Sequence, residues 1–104
     1  MKAEELKGHL DGLILAVVSR EPLHGYAVIE SLKACSGGEL ALPEGTVYPA
    51  LHRLEADGLL SSKWSVVGGR RRRVYSITKR GTKELGVSRE RWRVFATTIE
   101  AVLA

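Results

Sequence analysis

The residues best suited to chemistry lie in one stretch, Val66-Val67-Gly68-Gly69-Arg70-Arg71-Arg72-Arg73-Val74-Tyr75. A Gly-Gly pair between two β-type runs supplies the positive φ angles that a tight hairpin turn requires. Four consecutive arginines then concentrate positive charge at or just beyond that turn. Such a tip costs stability unless an anion meets it, and a nucleic-acid backbone is the most economical partner. Side chains alternate along a strand, so Arg70 and Arg72 share one face and Arg71 and Arg73 the other. Arg70, Arg71 and Arg72 are the strongest candidates for phosphates or for a narrow minor groove, whose negative potential attracts arginine. Lys63 on the preceding strand, and Lys79 and Arg80 beyond the second, either extend this basic track or form a solvated face.

The charge balance of the whole chain agrees. The net charge of +4 over 104 residues conceals an asymmetry. Residues 1–62 hold five Lys/Arg and nine Asp/Glu, a balance of −4, whereas residues 63–104 hold eleven and three, a balance of +8. Localised basic charge of this kind is the footprint of a phosphate-binding surface. Catalysis is not expected: no HExxH, GxSxG, GxxxxGKS or CxxC pattern occurs. His9, His24 and His52 are dispersed, without ligand spacing, so neither a metal nor another cofactor is anticipated. The single cysteine, Cys35, excludes an intrachain disulfide and fits a reducing, cytoplasmic location. The apolar run Leu13–Val18 is too short to cross a membrane, and no signal peptide is evident.

Several elements must position the arginines. Leu6, Leu10, Leu13, Ile14, Val17 and Val18 form a helical stripe within residues 3–19, closed by a turn around Pro22. A second helix runs from about His24 to Lys33 and stops at Ser36-Gly37-Gly38. Tyr26, near its start, either meets a phosphate or packs beneath the next helix. Pro43 suits the first turn of a third helix, Glu44 its positive dipole end, and Gly58 its C′ position. Val47, Leu51 and Leu54 make the buried stripe of that helix. Thr46, Tyr48, Pro49, His52 and Arg53 lie off it, and Arg53 has the reach for a phosphate or for guanine O6 and N7. Residues 59–67 and 72–78 read as strands, and Thr78 as the N-cap of a last helix. Trp92, Phe95, Ile99 and Val102 are spaced three, four and three, an a/d seam of about two heptads.

Three helices, a hairpin and a helix form the order of a winged helix-turn-helix. The expected class is α+β and mostly helical, with residues 1–78 as the DNA-binding domain and 79–104 as a C-terminal dimerisation helix. Three segments carry a more specific resemblance: His24-Gly25-Tyr26, the run Pro43–Leu59 (PEGTVYPALHRLEADGL), and Gly69–Gly81 (GRRRRVYSITKRG). Together they resemble PadR-type transcriptional regulators over nearly all of residues 10–104. The resemblance implies a homodimeric repressor that reads a palindromic operator in double-stranded DNA. It implies that Tyr48 hydrogen-bonds a phosphate. It also implies that the last helices, with first-helix residues such as Leu10, enclose a site at the dimer interface. There Trp92 and Phe95 are either dimer core or an aromatic wall for a planar apolar effector. The alternative is a winged helix that binds protein or RNA without operator specificity. Single-stranded RNA would require an open aromatic platform, which the strands do not offer.

Overall fold

A computed structural model of the chain describes Leu6 and residues 8–104. The elements follow the order α1 (Leu10–Arg20), β1 (Leu23–His24), α2 (Gly25–Cys35), α3 (Glu44–Ala56), β2 (Leu60–Val67), β3 (Arg70–Ile77) and α4 (Lys79–Leu103). Helix α1 begins later than the apolar stripe suggests. Gly8, with φ 88°, interrupts helical geometry before it; residues 3, 4, 5 and 7 of the expected helix lie outside the described residues.

Strand β1 forms where the local sequence suggests only a turn and a helix start. Its two residues pair with β3, Leu23 opposite Tyr75 and His24 opposite Val74, giving a three-stranded antiparallel sheet of order β1-β3-β2. A pairing some fifty positions away leaves no local signature. The β2–β3 register, by contrast, follows from its turn. Gly68 and Gly69 both have positive φ, 60° and 76°, as a two-residue hairpin loop demands. That places Trp64 opposite Arg73 and Ser62 opposite Tyr75.

The core lies where α1, α2 and α3 meet the base of the hairpin. Ile14, Leu15, Val28, Val47, Leu51 and Leu54 are fully buried, with Leu60 and Tyr75 closing the sheet side. Each such aliphatic side chain contributes about 1.5–3 kcal/mol on leaving water. Pro43 is the N-cap of α3 rather than a first-turn residue, and its carbonyl accepts from Thr46 and Val47. Leu42 before it is buried in the core. The C-terminal end of α3 closes through Gly58, φ 78°, with Leu59 N–H donating to the Leu54 carbonyl.

Thr78 joins this end to α4. Its hydroxyl donates to the Gly58 carbonyl at 2.7 Å and accepts from Gly81 N–H at 3.0 Å. Gly81 is buried against the Leu59 carbonyl so closely that a Cβ would collide with it. This glycine therefore fits the junction, although glycine weakens a helix in general. Only Gly81 and Leu85 of α4 are buried. The rest of the helix, about 37 Å long in all, reaches away from the core, and the described molecule measures 52 × 28 × 20 Å.

Candidate nucleic-acid interface

The sheet gives the wing two chemically different faces. Lys63, Val74 and His24 form a row across all three strands, because both Lys63 and His24 sit opposite Val74. Arg72 and Arg70 continue the same face toward the turn. His24 ends this row at the start of α2, where its ring stacks on Tyr26 with centroids 6.5 Å apart and 19° between planes. The His24 imidazole is held below its ordinary pKa, first by burial and then by the Arg72 charge. Next in the chain, Gly25 faces the Tyr48 ring of α3 with no room for a Cβ. One surface thus runs from Arg70 and Arg72 through His24 and Tyr26 to Tyr48.

Helix α3 presents the remaining candidates at its rim. Pro49 and His52 are exposed, and Thr46 is half-buried. Arg53 is exposed but engaged: its two terminal nitrogens each donate to one carboxylate oxygen of Asp11 on α1, both at 2.7 Å. These bonds, with the carboxylate charge, hold its guanidinium more firmly protonated. The structure therefore brings together Tyr26, Tyr48, Lys63, Arg70 and Arg72 and turns Arg53 toward α1.

Arg71 and Arg73 occupy the other face of the hairpin, over the Trp64 indole. Their guanidinium carbons lie 5.1 and 5.8 Å from the indole ring centroid. Neither Trp64 nor Glu55 stands out in the sequence as functional. Trp64 is legible in principle, because a two-residue turn at Gly68-Gly69 already puts it opposite Arg73. Asp11 and His9 leave no comparable signal, since their partners are distant in sequence.

A second feature lies between α1 and α4. Leu13, Gly12, Leu40, Leu85, Trp92 and Phe95 help to line an apolar groove of about 700 Å³. His9 meets Trp92 edge-on at 5.3 Å, and the Trp92 and Phe95 centroids are 5.6 Å apart. Gly12 lets α1 approach Ser88 of α4, where a Cβ would come within 2.8 Å of the Ser88 Cβ. Leu10 packs at the core edge, whereas Ile99 and Val102 stand exposed farther along α4.

The family model described as "Transcriptional regulator PadR-like family" matches residues 14–87, most of the chain. This protein belongs to the PadR-like family of transcriptional regulators. Its members are regulators rather than enzymes. Transcriptional regulator Rv3488 of Mycobacterium tuberculosis is 63% identical over 41 residues, which span 39% of this chain and 38% of that relative. A PadR-family transcriptional regulator from Eggerthella lenta superposes with a TM-score of 0.82 at 34% identity, covering 96% of this chain and 86% of the other. The PadR-like regulator BC4206 of Bacillus cereus gives 0.84 at 29% identity, covering 97% of each chain. The fold is the PadR winged helix with its C-terminal helix. Among the described residues, no helix is long and apolar enough to cross a membrane.

Proposed function

We propose that this PadR-family regulator represses transcription by binding a palindromic operator in double-stranded DNA as a homodimer. The observation that carries the reading is the continuous surface from Arg70 and Arg72, through His24 and Tyr26, to Tyr48 on α3. It joins a basic two-stranded ribbon to a helix whose exposed rim offers Pro49 and His52. In this reading α3 enters the major groove while Lys63, Arg70 and Arg72 meet phosphates. Tyr26 and Tyr48 contact the backbone between them. Thr46 serves at the N-terminal end of α3. Arg71 leans from the opposite face near the turn, and Arg53 remains with Asp11.

Residues 1–78 then act as the DNA-binding domain and residues 79–104 as the dimerisation helix. Exposed Trp92, Phe95, Ile99 and Val102 support that role, because a row of large apolar side chains needs a cover. Two subunits would set their α3 helices about 34 Å apart, one turn of duplex. The α1–α4 groove suits a planar apolar effector, which would shift binding by favouring one dimer geometry. A cytoplasmic location goes with action on DNA. The hairpin presents Trp64 alone, under two arginines, so no aromatic platform favours the RNA alternative.

The test is selection of a duplex from a random pool, followed by titration across salt concentrations. The selected duplex is expected to bind far more tightly than random DNA. Affinity should fall steeply with salt, with a slope near −0.9 per neutralised phosphate. Replacing both Arg70 and Arg72 by Ala should flatten that slope by about 1.8. Equal affinity for selected and random duplexes at physiological salt would refute operator recognition.

A further inference from the structure

Glu55 on α3 is bound to the wing rather than to solvent. The Ser62 hydroxyl of β2 donates to Glu55 Oε2 at 2.6 Å, and Arg73 Nε of β3 donates to the same hydroxyl at 2.6 Å. Arg73 Nη2 also lies 3.4 Å from Glu55 Oε1, closing a three-membered ring of contacts. From Arg73 the contacts continue outward, because Arg73 and Arg71 both lie over Trp64. A single polar and cation–π chain therefore runs from the reading helix along one face of the wing.

We propose that Glu55, Ser62, Arg73 and Trp64 form a brace that sets the angle of the wing against α3, making Glu55 and Arg73 positioning residues for operator discrimination. This rests on the DNA-binding reading above. The third strand supports the hairpin only at Val74 and Tyr75. Beyond Arg73 the wing is a two-stranded ribbon, and such ribbons twist more variably than wider sheets. Arg70 lies three residues farther out, about 10 Å along the strand. A small rotation at the base therefore becomes a large displacement of the arginine that meets phosphate. The brace acts at that base. It also commits Arg73 to a carboxylate, so the four arginines play different parts. Arg70 and Arg72 face outward, Arg73 anchors, and Arg71 is ordered by the indole.

Glu55→Gln and Arg73→Met test this, with Arg70→Met as the phosphate-contact control and Arg73→Lys as the conservative variant. Each is titrated with the selected duplex and with random DNA across salt. Arg73→Met is expected to lower the selected-to-random affinity ratio about tenfold while leaving the salt slope unchanged. Glu55→Gln should do the same, although losing a negative charge near DNA would otherwise tighten all binding. The double variant should be no worse than either single one, and Arg73→Lys should recover part of the ratio. Without DNA, amide exchange at residues 66–70 should accelerate in both single variants. A slope reduced by about 0.9 in Arg73→Met would show a phosphate ligand and overturn the brace. An unchanged ratio together with unchanged exchange would also overturn it. If the wild-type protein selects no duplex, the DNA-binding reading fails and the brace with it; if only the variants behave otherwise, the brace alone fails.

Discussion

Helix α3 and the outer half of α4 both carry apolar residues three and four positions apart. In α3 the set is Val47, Leu51 and Leu54, and all three are completely buried. In α4 it is Trp92, Phe95, Ile99 and Val102, exposed by 53, 49, 42 and 79%. The difference lies in what surrounds each helix. The face of α3 meets α1, α2 and the hairpin, whereas α4 runs past the core after Leu85. An amphipathic face requires a cover, and only for α3 does the same chain supply it. The cover proposed for α4 is a second copy.

The largest expected effect tests that contrast directly. Leu51→Ala should cost about 2–5 kcal/mol, as cavity-forming changes in cores do. If the stripe is covered by its own chain, the fraction unfolded at a given denaturant concentration should change little with protein concentration below the dimer threshold. Ile99→Asp should leave the monomer's helical content intact and weaken association at least a hundredfold, measured by sedimentation equilibrium. A seam that stays solvated would instead tolerate the aspartate with less than about 0.5 kcal/mol of change and no shift in mass.

A subtler comparison uses the two tryptophans. Trp64 and Trp92 are almost equally exposed in the single chain, 56 and 53%. In Trp64→Phe, the emission of Trp92 should move to longer wavelength on dilution as subunits separate. In Trp92→Phe, the emission of Trp64 should stay constant, because its cover is Arg71 and Arg73 of the same chain. Parallel behaviour of the two would erase the distinction between the regions.

The smallest effect concerns the winged half alone. Burial and Arg72 depress the His24 pKa, so the folded state prefers neutral imidazole. Its contribution to stability is present above the ordinary histidine value and is lost as pH falls through the lowered one. Arg72→Gln should raise that pKa only partway in an NMR titration, because burial is the larger cause. A complete return to the ordinary value would show that the charge dominates.

Much of the scaffold was legible without coordinates. Gly68-Gly69 specified a two-residue turn and with it the hairpin register. Thr78 was readable as a cap, and the stripe of α3 as buried, because turn geometry, capping and period all act within a few residues. The start of α1 and the role of Pro43 were misplaced. Gly8 interrupts the apolar period, and Leu42 enters the core where a polar cap was expected. The candidate surface was only half legible: alternation paired Arg70 with Arg72, without saying which pair would be tied down.

By itself, then, the sequence determined the family, the element order and the two-faced arginine wing, since each follows from local spacing. Tertiary structure alone decided that Glu55 holds Arg73, that Asp11 holds Arg53, and that β1 carries His24 to the Arg72 face. Asp11 and Arg53 are 42 positions apart in the chain, and whole elements also separate the members of the other two pairs. Coulomb attraction and hydrogen bonding act over a few ångströms, so they select partners only after packing has brought distant segments together.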